Sequence, residues 1–413
     1  MKHLALLRCA ALTLHFTAVA VSAATAHAPL DTSEGPRTPA ASETITYDPA
    51  WSGGSTVTLA LDGATIGTYS AAGTRTLDTR GWSGGRHTLT HTAGGETLTA
   101  SFRKPFPPPT ITNLTARQRY PWNGLVDIEC DVLYGDPDAV LLVSIAATNL
   151  ATGAELPART LYLAEGGEMA PLGPVKAGLL HFIWNADADV ADKVKFDNVA
   201  LTIDVKEGFV QLWENGPYWA ECNVGAIRPE DTGYYFWWGD TVGYTRNASD
   251  TGWVSVAGGH SFSFYYDSCP TYTKSASQLR SAGYIDATGN LVAAHDAATA
   301  HLGAPWRMPM VAEWDALIQN CDTTWTTRNG VNGRLVKGRG AYASKSIFLP
   351  AAGDGILSYL YDLGSRGGYW SSTPNSDYSD YAWYLNFDSG NFRRRGDGRC
   401  VGQSVRPLRG FAE

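Results

Sequence analysis

Thiols are the side chains with the widest chemical reach in this sequence. Cys130, Cys222, Cys269, Cys321 and Cys400 follow the first 28 residues, and a cysteine serves as nucleophile, metal ligand or half of a disulfide according to how readily it ionises. Cys130 falls in the alternation Val126, Ile128, Cys130, Val132, on the apolar phase of a strand, which marks it as a small buried core residue. The other four could close two bridges, and their spacing leaves the connectivity open. GHSFS (259–263) approaches the G-x-S-x-G nucleophile elbow but lacks its last glycine, and Phe264-Tyr265-Tyr266 behind it predicts a strand where that motif needs a helix. GRGAYA (338–343) imitates a dinucleotide glycine pattern, yet SIFLPAAG follows it and no βαβ context precedes it. Both are expected to be turns.

Metal chemistry has little to stand on. His295 and His301 are six apart and fall on different faces of a helix, while His87 and His91 share a strand face without a third ligand, so all four are expected at the surface and no metal site is assigned. Calcium is the one cofactor left open: Asn375, Asp377, Asp380, Asp388 and Asn391 supply oxygens around one loop region, without an EF-hand pattern, and such residues usually face solvent or cap turns. Arg395-Gly396-Asp397 matches an integrin-recognition tripeptide, and Arg393, Arg394 and Arg395 with Arg399 form a local basic patch that could meet an anionic glycan or simply face solvent.

Aromatic side chains supply what catalytic sets do not. Ten of the 14 Trp and 15 of the 20 Tyr follow Phe209. Tyr234, Tyr235, Trp237, Trp238, Tyr369, Trp370, Tyr378, Tyr381, Trp383 and Tyr384 offer flat faces with polar edges, suited to stacking on sugars or anchoring a protein. Most of them are expected to build the core and about a third to reach the surface. Trp237, Trp238, Asp240, Trp370, Tyr381, Trp383, Arg393, Arg394 and Arg395 are taken as the candidate ligand-binding set.

The elements that must position these residues follow from pattern. The chain has 413 residues, 44% hydrophobic and 17% charged, a globular composition for several domains. Residues 1–28 carry Lys2 and Arg8 ahead of an apolar run and small-residue cleavage sites at Ala26 or Ala28, the layout of a secretory signal, so export and a secreted or cell-surface location are expected. Cys9 follows Arg8 within the early apolar run and so lacks the small-residue setting of a lipid-attachment cysteine, and no later stretch is long enough to span a bilayer. Removing the signal leaves 30 basic against 40 acidic side chains, near −10, which argues against nucleic acid as a partner.

A Pro/Thr/Ser-rich tether covers 29–43 and a small β module 44–104, with strands around Val57, Leu77, Leu89 and Leu98, a Gly94-Gly95 turn, and WSGG turns at Trp51 and Trp82. The prolines of 105–109 mark a boundary. A second β module spans 110–207, with strands over 126–133, 140–147, 179–184 and 199–205 and a turn at Asn123-Gly124, and both modules are expected to be sandwiches of immunoglobulin or fibronectin kind. From 209 to 413 one larger α+β domain is expected, with helices over 293–302 and 311–320 among short strands and turns.

Seven ordered blocks in that last segment carry a family resemblance: LWENGPYWAECNVGA, RPEDTGYYFWWGD, WRMPMVAEW, NGVNGRLV, SIFLPAAG, GGYWSSTP and GQSVRPL. The segment resembles the Fibrobacter succinogenes major paralogous domain family, which looks related to C-type lectins and to the formylglycine-generating, sulfatase-modifying proteins. QRYPWNGLVDIE (118–129) is similar to β modules found beside such domains. The resemblance implies a C-type-lectin-like fold and a disulfide between Cys222 and Cys321, with Cys269 and Cys400 as a further pair. It also implies a Thr where Met310 stands, so the helix after it is expected to lose a side-chain cap worth about 1 kcal/mol unless another group substitutes. The sugar-binding EPN and QPD triplets of C-type lectins are absent from the sequence. The formylglycine-generating enzymes hold copper on two closely spaced cysteines, whereas Cys400 has no second cysteine within 70 residues before it. The expectation is therefore an exported, non-enzymatic recognition protein presenting its C-terminal domain to a glycan or surface protein. A sulfatase-modifying enzyme or accessory, requiring Cys269 and Cys400 to be free and adjacent, and a structural surface component are the alternatives.

Overall fold

The computed structural model describes residues 25–26, 41–47, 56–70, 73–93, 95–120, 123–165, 168–190 and 199–410. The expected signal and tether lie almost wholly outside these, as do Trp51 and Gly94; of the signal only Thr25–Ala26 is described, paired with Thr44 and Ile45. Strand accounts for 47% of the chain and helix for 10%, so the fold is mostly β, in several small antiparallel sheets. Among the described residues no helix is long and apolar enough to cross a membrane.

Alternating side chains produce the strands expected from them. Val57–Leu61, Ala64–Tyr69, Gly85–Ala93 and Glu96–Lys104 form one sheet, with Leu59, Leu89 and Phe102 on its covered face. Gly95, at φ +89°, makes the turn between the last two strands in a conformation that glycine reaches without Cβ strain. His87 and His91 are corrections: both are buried on this sheet rather than exposed. His87 is held by Asp62 Oδ2 at 2.7 Å and the Ser83 carbonyl at 2.9 Å, and burial pushes the His91 imidazole down to about 4.

In the middle segment a five-stranded sheet and a three-stranded sheet share one core. Ile128, Cys130, Val132, Phe182 and Trp184 come from one sheet, and Leu141, Val143, Ile145, Leu201 and Val205 from the other. Cys130 is fully buried as its strand phase predicts.

After Phe209 the strands shorten and long-range ties replace ladders. Tyr218–Ala220 pairs with Phe209–Gln211 on one side and Leu408–Arg409 on the other, so the beginning and end of this segment meet in one sheet. Gly367–Pro374, Tyr381–Phe387 and Phe392–Gly398 form its main sheet. Six tryptophans, Trp219, Trp238, Trp253, Trp306, Trp314 and Trp370, are fully buried. Trp238 Nε1 donates to the Ser371 carbonyl and Trp370 Nε1 to the Phe236 carbonyl, both at 2.8 Å, so two indoles cross-tie the WWGD and GGYW segments. The two glycines of GGYW make room for other neighbours: a Cβ on Gly367 would collide with the Phe387 ring, and one on Gly368 with Gln403 Oε1.

The helix Val311–Asn320 matches its sequence pattern. Its lost cap is replaced by two groups: Thr373 Oγ1 accepts the Val311 N–H at 3.1 Å, and Glu313 Oε2 accepts that of Met310 at 2.7 Å. The helix expected over 293–302 is broken at Asp296 into the 3-10 turn Ala293–His295 and the α-helix Ala297–Leu302. Asp296 Oδ1 caps Thr299 N at 2.9 Å, and the same carboxylate accepts Met308 N, so an N-cap outweighs continuous helical periodicity. A third helix, Ala276–Ser281, carries a Ser275/Gln278 capping box that the apolar periodicity did not disclose.

One carboxylate joins the three parts of the chain. Asp136 Oδ2 lies 2.6 Å from Arg409 Nη2 and 2.8 Å from Arg103 Nη2. The Arg409 guanidinium also sits against the rings of Phe209, Trp306 and Tyr218, and Arg103 covers the other contact with Tyr218 at 4.6 Å. Nearby, Trp306 Nε1 donates to the Asp138 carbonyl.

Candidate functional site

Of the ten aromatics singled out by composition, Tyr235, Trp238, Tyr369, Trp370 and Tyr384 are buried, and only Tyr378 is exposed, the others being half-buried. Trp238 and Trp370 therefore leave the candidate set as core residues. Trp237 is half-buried against Tyr235, Trp253 and Phe264. Asp240 is also buried: its carboxylate accepts the Val242 and Gly243 N–H groups at 3.1 and 3.0 Å, and burial pushes it up to about 6. It closes a turn rather than meeting a ligand.

Tyr381 and Trp383 alternate with buried Ala382 and Tyr384, which places both on the outer face of their strand. The Arg394 guanidinium lies 5.0 Å from the Trp383 ring centre and 3.1 Å from Asp315 Oδ2. Arg393 and Arg395 are exposed. Arg399 is not part of their patch, because it is buried. Arg395-Gly396-Asp397 lies within the strand Phe392–Gly398, and Asp397 Oδ2 accepts from Gln403 at 2.8 Å, so its carboxylate is engaged inside the protein. Two of the loop residues considered for calcium cap turns: Asn375 Oδ1 accepts Asp377 N and Tyr378 N, and Asp388 Oδ1 accepts Gly390 N and Asn391 N, while Asp380 Oδ2 accepts from Tyr272 Oη. Among the described residues no group of three or more His, Cys, Asp and Glu is placed to hold a metal.

What the structure does bring together at the surface is a run of tyrosines. Tyr265 and Tyr266 lie with ring centres 3.9 Å apart, and Tyr266 and Tyr272 6.0 Å apart. Tyr272 Oη reaches Asp380 Oδ2 at 3.4 Å, and Tyr381 stands 5.5 Å from Tyr378. Tyr265, Tyr266 and Tyr378 are 37, 46 and 62% exposed, so part of each ring reaches solvent although Tyr265 and Tyr266 partly cover each other. Burial and the neighbouring Asp380 carboxylate raise the Tyr272 phenol above its ordinary value.

The loops carrying these rings are held from beneath. Arg399 donates to the carbonyls of Thr271 and Lys274 at 3.0 and 2.8 Å, and to that of Tyr381 at 2.9 Å, while its guanidinium sits 4.9 Å from the Trp238 ring centre. Thr271 Oγ1 donates to the Trp238 carbonyl, and Asn375 fixes the turn that carries Tyr378. Trp238 and Arg399 are thus the floor of the site. Tyr265, Tyr266 and Tyr272 are not singled out by the sequence because Phe264-Tyr265-Tyr266 predicts a strand, and Asp380 is singled out there only as a candidate calcium oxygen. The turn chemistry of the following Asp-Ser-Cys-Pro was the available signal, and the chain forms a 3-10 turn at Tyr266–Ser268.

Cys222 and Cys321, expected to pair, are both free thiols. They pack in different clusters, Cys222 with Leu142 and Ala226 and Cys321 with Trp314 and Leu317. Burial pushes each up to about 12. Cys269 and Cys400 are also free but adjacent: Cys269 Sγ lies 3.8 Å from the Cys400 carbonyl oxygen. Burial raises both thiols, which works against a reactive thiolate. Cys269 is buried and Cys400 half-exposed beside the tyrosine run. Compared with known proteins, the chain matches no family model and no curated protein.

Proposed function

We propose that this is an exported recognition protein whose segment 209–413 is a C-type-lectin-like domain of the Fibrobacter succinogenes major paralogous kind, carried by two β-sandwich modules and presented at the cell surface or secreted. The observation that supports it is the exposed tyrosine run, fixed from below by Arg399 and Trp238. Rings held in place before a ligand arrives lose little conformational freedom on binding, which is the property of a recognition surface. The test is binding of the labelled full chain to immobilised glycans and to intact cells. Saturable binding to either supports the reading, and blank results across both overturn it.

Adjacency of Cys269 and Cys400 favours a second reading, a sulfatase-modifying enzyme or accessory. Two thiols raised by burial fit poorly to a copper site, since copper ligation requires both to lose their protons. With Ellman's reagent on the reduced native protein, one fast thiol is expected, Cys400. One equivalent of copper(I) is expected to leave its rate unchanged. Protection of Cys400 by copper that disappears in Cys269→Ser would displace the recognition reading in favour of the enzyme. Absence of the fast thiol in protein purified without reductant, and its return on reduction, would mark a Cys269–Cys400 disulfide.

A further inference from the structure

We infer that the ligand of the tyrosine run is a neutral glycan chain, lying along Tyr265, Tyr266, Tyr272, Tyr381 and Tyr378. This rests on the recognition reading and adds the ligand's chemistry to it. Charge decides first. Asp267 and Asp377 are exposed and Asp380 is half-buried beside the rings, against one cation, Lys274, in the same loops. The chain as a whole carries −8. An anionic glycan, a phosphate-bearing polymer or an anionic membrane would meet net repulsion here. On the neighbouring strand Arg394 is paired with Asp315 and lies against Trp383, and Arg399 beyond it is buried with its donors on carbonyls, while Arg393 and Arg395 are exposed on that strand outside the two loops that carry the rings.

Shape and donor chemistry decide next. The site is a succession of phenol rings, three of them exposed, spread over two loops rather than enclosed in a pocket. Sugar rings have apolar C–H faces that stack on aromatic rings and hydroxyl edges that need donors and acceptors. Phenol Oη groups and the Asp380 carboxylate supply both. An extended chain of sugars can engage consecutive rings, so modest contacts add along its length.

The test is native affinity electrophoresis of the full chain in gels containing hydroxyethylcellulose, xyloglucan, galactomannan or soluble starch, with polygalacturonate as the acidic counterpart. Retardation is expected in at least one neutral gel, little changed by salt. Tyr266→Ala and Tyr378→Ala should each weaken it at least tenfold, while Tyr359→Ala, at another exposed tyrosine outside the run, should not. All three positions are exposed, so matched melting curves separate binding loss from unfolding. Retardation by polygalacturonate alone, or by no neutral polymer, overturns the neutral-glycan assignment. If no polymer retards the chain but intact cells bind it, recognition stands and its target is a protein. Retardation unaltered in both Tyr266→Ala and Tyr378→Ala overturns the tyrosine run as the site while leaving glycan recognition intact.

Discussion

Replacing Asp136 by Ala should destabilise the protein by about 3–5 kcal/mol, the range for removing one partner of a buried ion pair. The reason is what remains. Asp136 is 5% exposed and Arg409 is fully buried, so Asp136→Ala leaves the Arg409 guanidinium charged, in a dry site, without its carboxylate. Arg103 loses the same partner. Rings of Phe209, Trp306 and Tyr218 still face Arg409, but cation–π contacts are worth about 0.5–2 kcal/mol and do not replace a bidentate pair. Because the carboxylate and its two arginines come from three separate stretches of chain, the loss should also appear as easier proteolysis near 105–109 and 208. The double variant Asp136→Ala, Arg409→Met should recover part of the stability, since it removes the stranded charge. Urea unfolding within 0.5 kcal/mol of the unaltered protein would show that the cluster is not a joint. The pH dependence has a fixed sign. Burial works to raise the Asp136 carboxyl, and the guanidiniums of Arg409 and Arg103 overcome this and hold it below its ordinary value. Its contribution is then fully present above the ordinary carboxylate range and lost as pH falls through the lower folded value, so it should appear in acid unfolding below about pH 4.

Strands with sustained alternation could be read from the sequence; the exposed tyrosine run could not. Val57–Leu61, Gly85–Ala93 and Leu125–Leu133 each run long enough for a period of two to declare which side is covered. Val311–Asn320 likewise declares its apolar face over nearly three turns. After Phe209 many strands are two or three residues long, such as Trp253–Ser255 and Asp354–Ile356, and a period of two cannot be counted in them. There the depth of an aromatic is set by a partner far along the chain. Trp238 is buried because its indole N–H meets the Ser371 carbonyl, 133 residues on, and nothing within YYFWWGD separates it from half-buried Trp237. Tyr381 and Trp383 were chosen on composition and do lie on the outer face, but the rings that continue the surface, Tyr265, Tyr266 and Tyr272, come from a loop more than a hundred residues earlier. Arginine misled for a related reason. Counted as charge, Arg399 belongs with Arg393, Arg394 and Arg395, yet a guanidinium has five donors, and where backbone carbonyls converge it goes inside.

Arg406 takes that principle furthest, and Arg406→Met should prevent the segment after Phe209 from folding. Its side chain is fully buried. Nε donates to Asn223 Oδ1 at 2.9 Å, Nη1 to the Ala220 and Glu221 carbonyls at 3.0 and 2.6 Å, and Nη2 to the Phe348 carbonyl at 2.8 Å. No carboxylate is among these partners; burial pulls the guanidinium below its ordinary value, and the converging carbonyl dipoles compensate its charge. Methionine fills much of the volume but gives none of the donors, leaving three carbonyls and an amide oxygen in a dry core. Hydrogen bonds to a charged donor are worth about 1.5–3 kcal/mol each. Even with strong non-additivity the loss should exceed about 4 kcal/mol, a large share of the 5–15 kcal/mol that holds a typical domain together. Lysine keeps the charge but cannot direct a planar fork at four acceptors, so Arg406→Lys should fall between Met and the unaltered chain. Far-ultraviolet circular dichroism and urea titration of the three proteins give the order. A Met variant that unfolds within 1 kcal/mol of the original would mean that the carbonyls find other donors, and that the RPL block owes its place to Leu408 in the core rather than to the arginine before it.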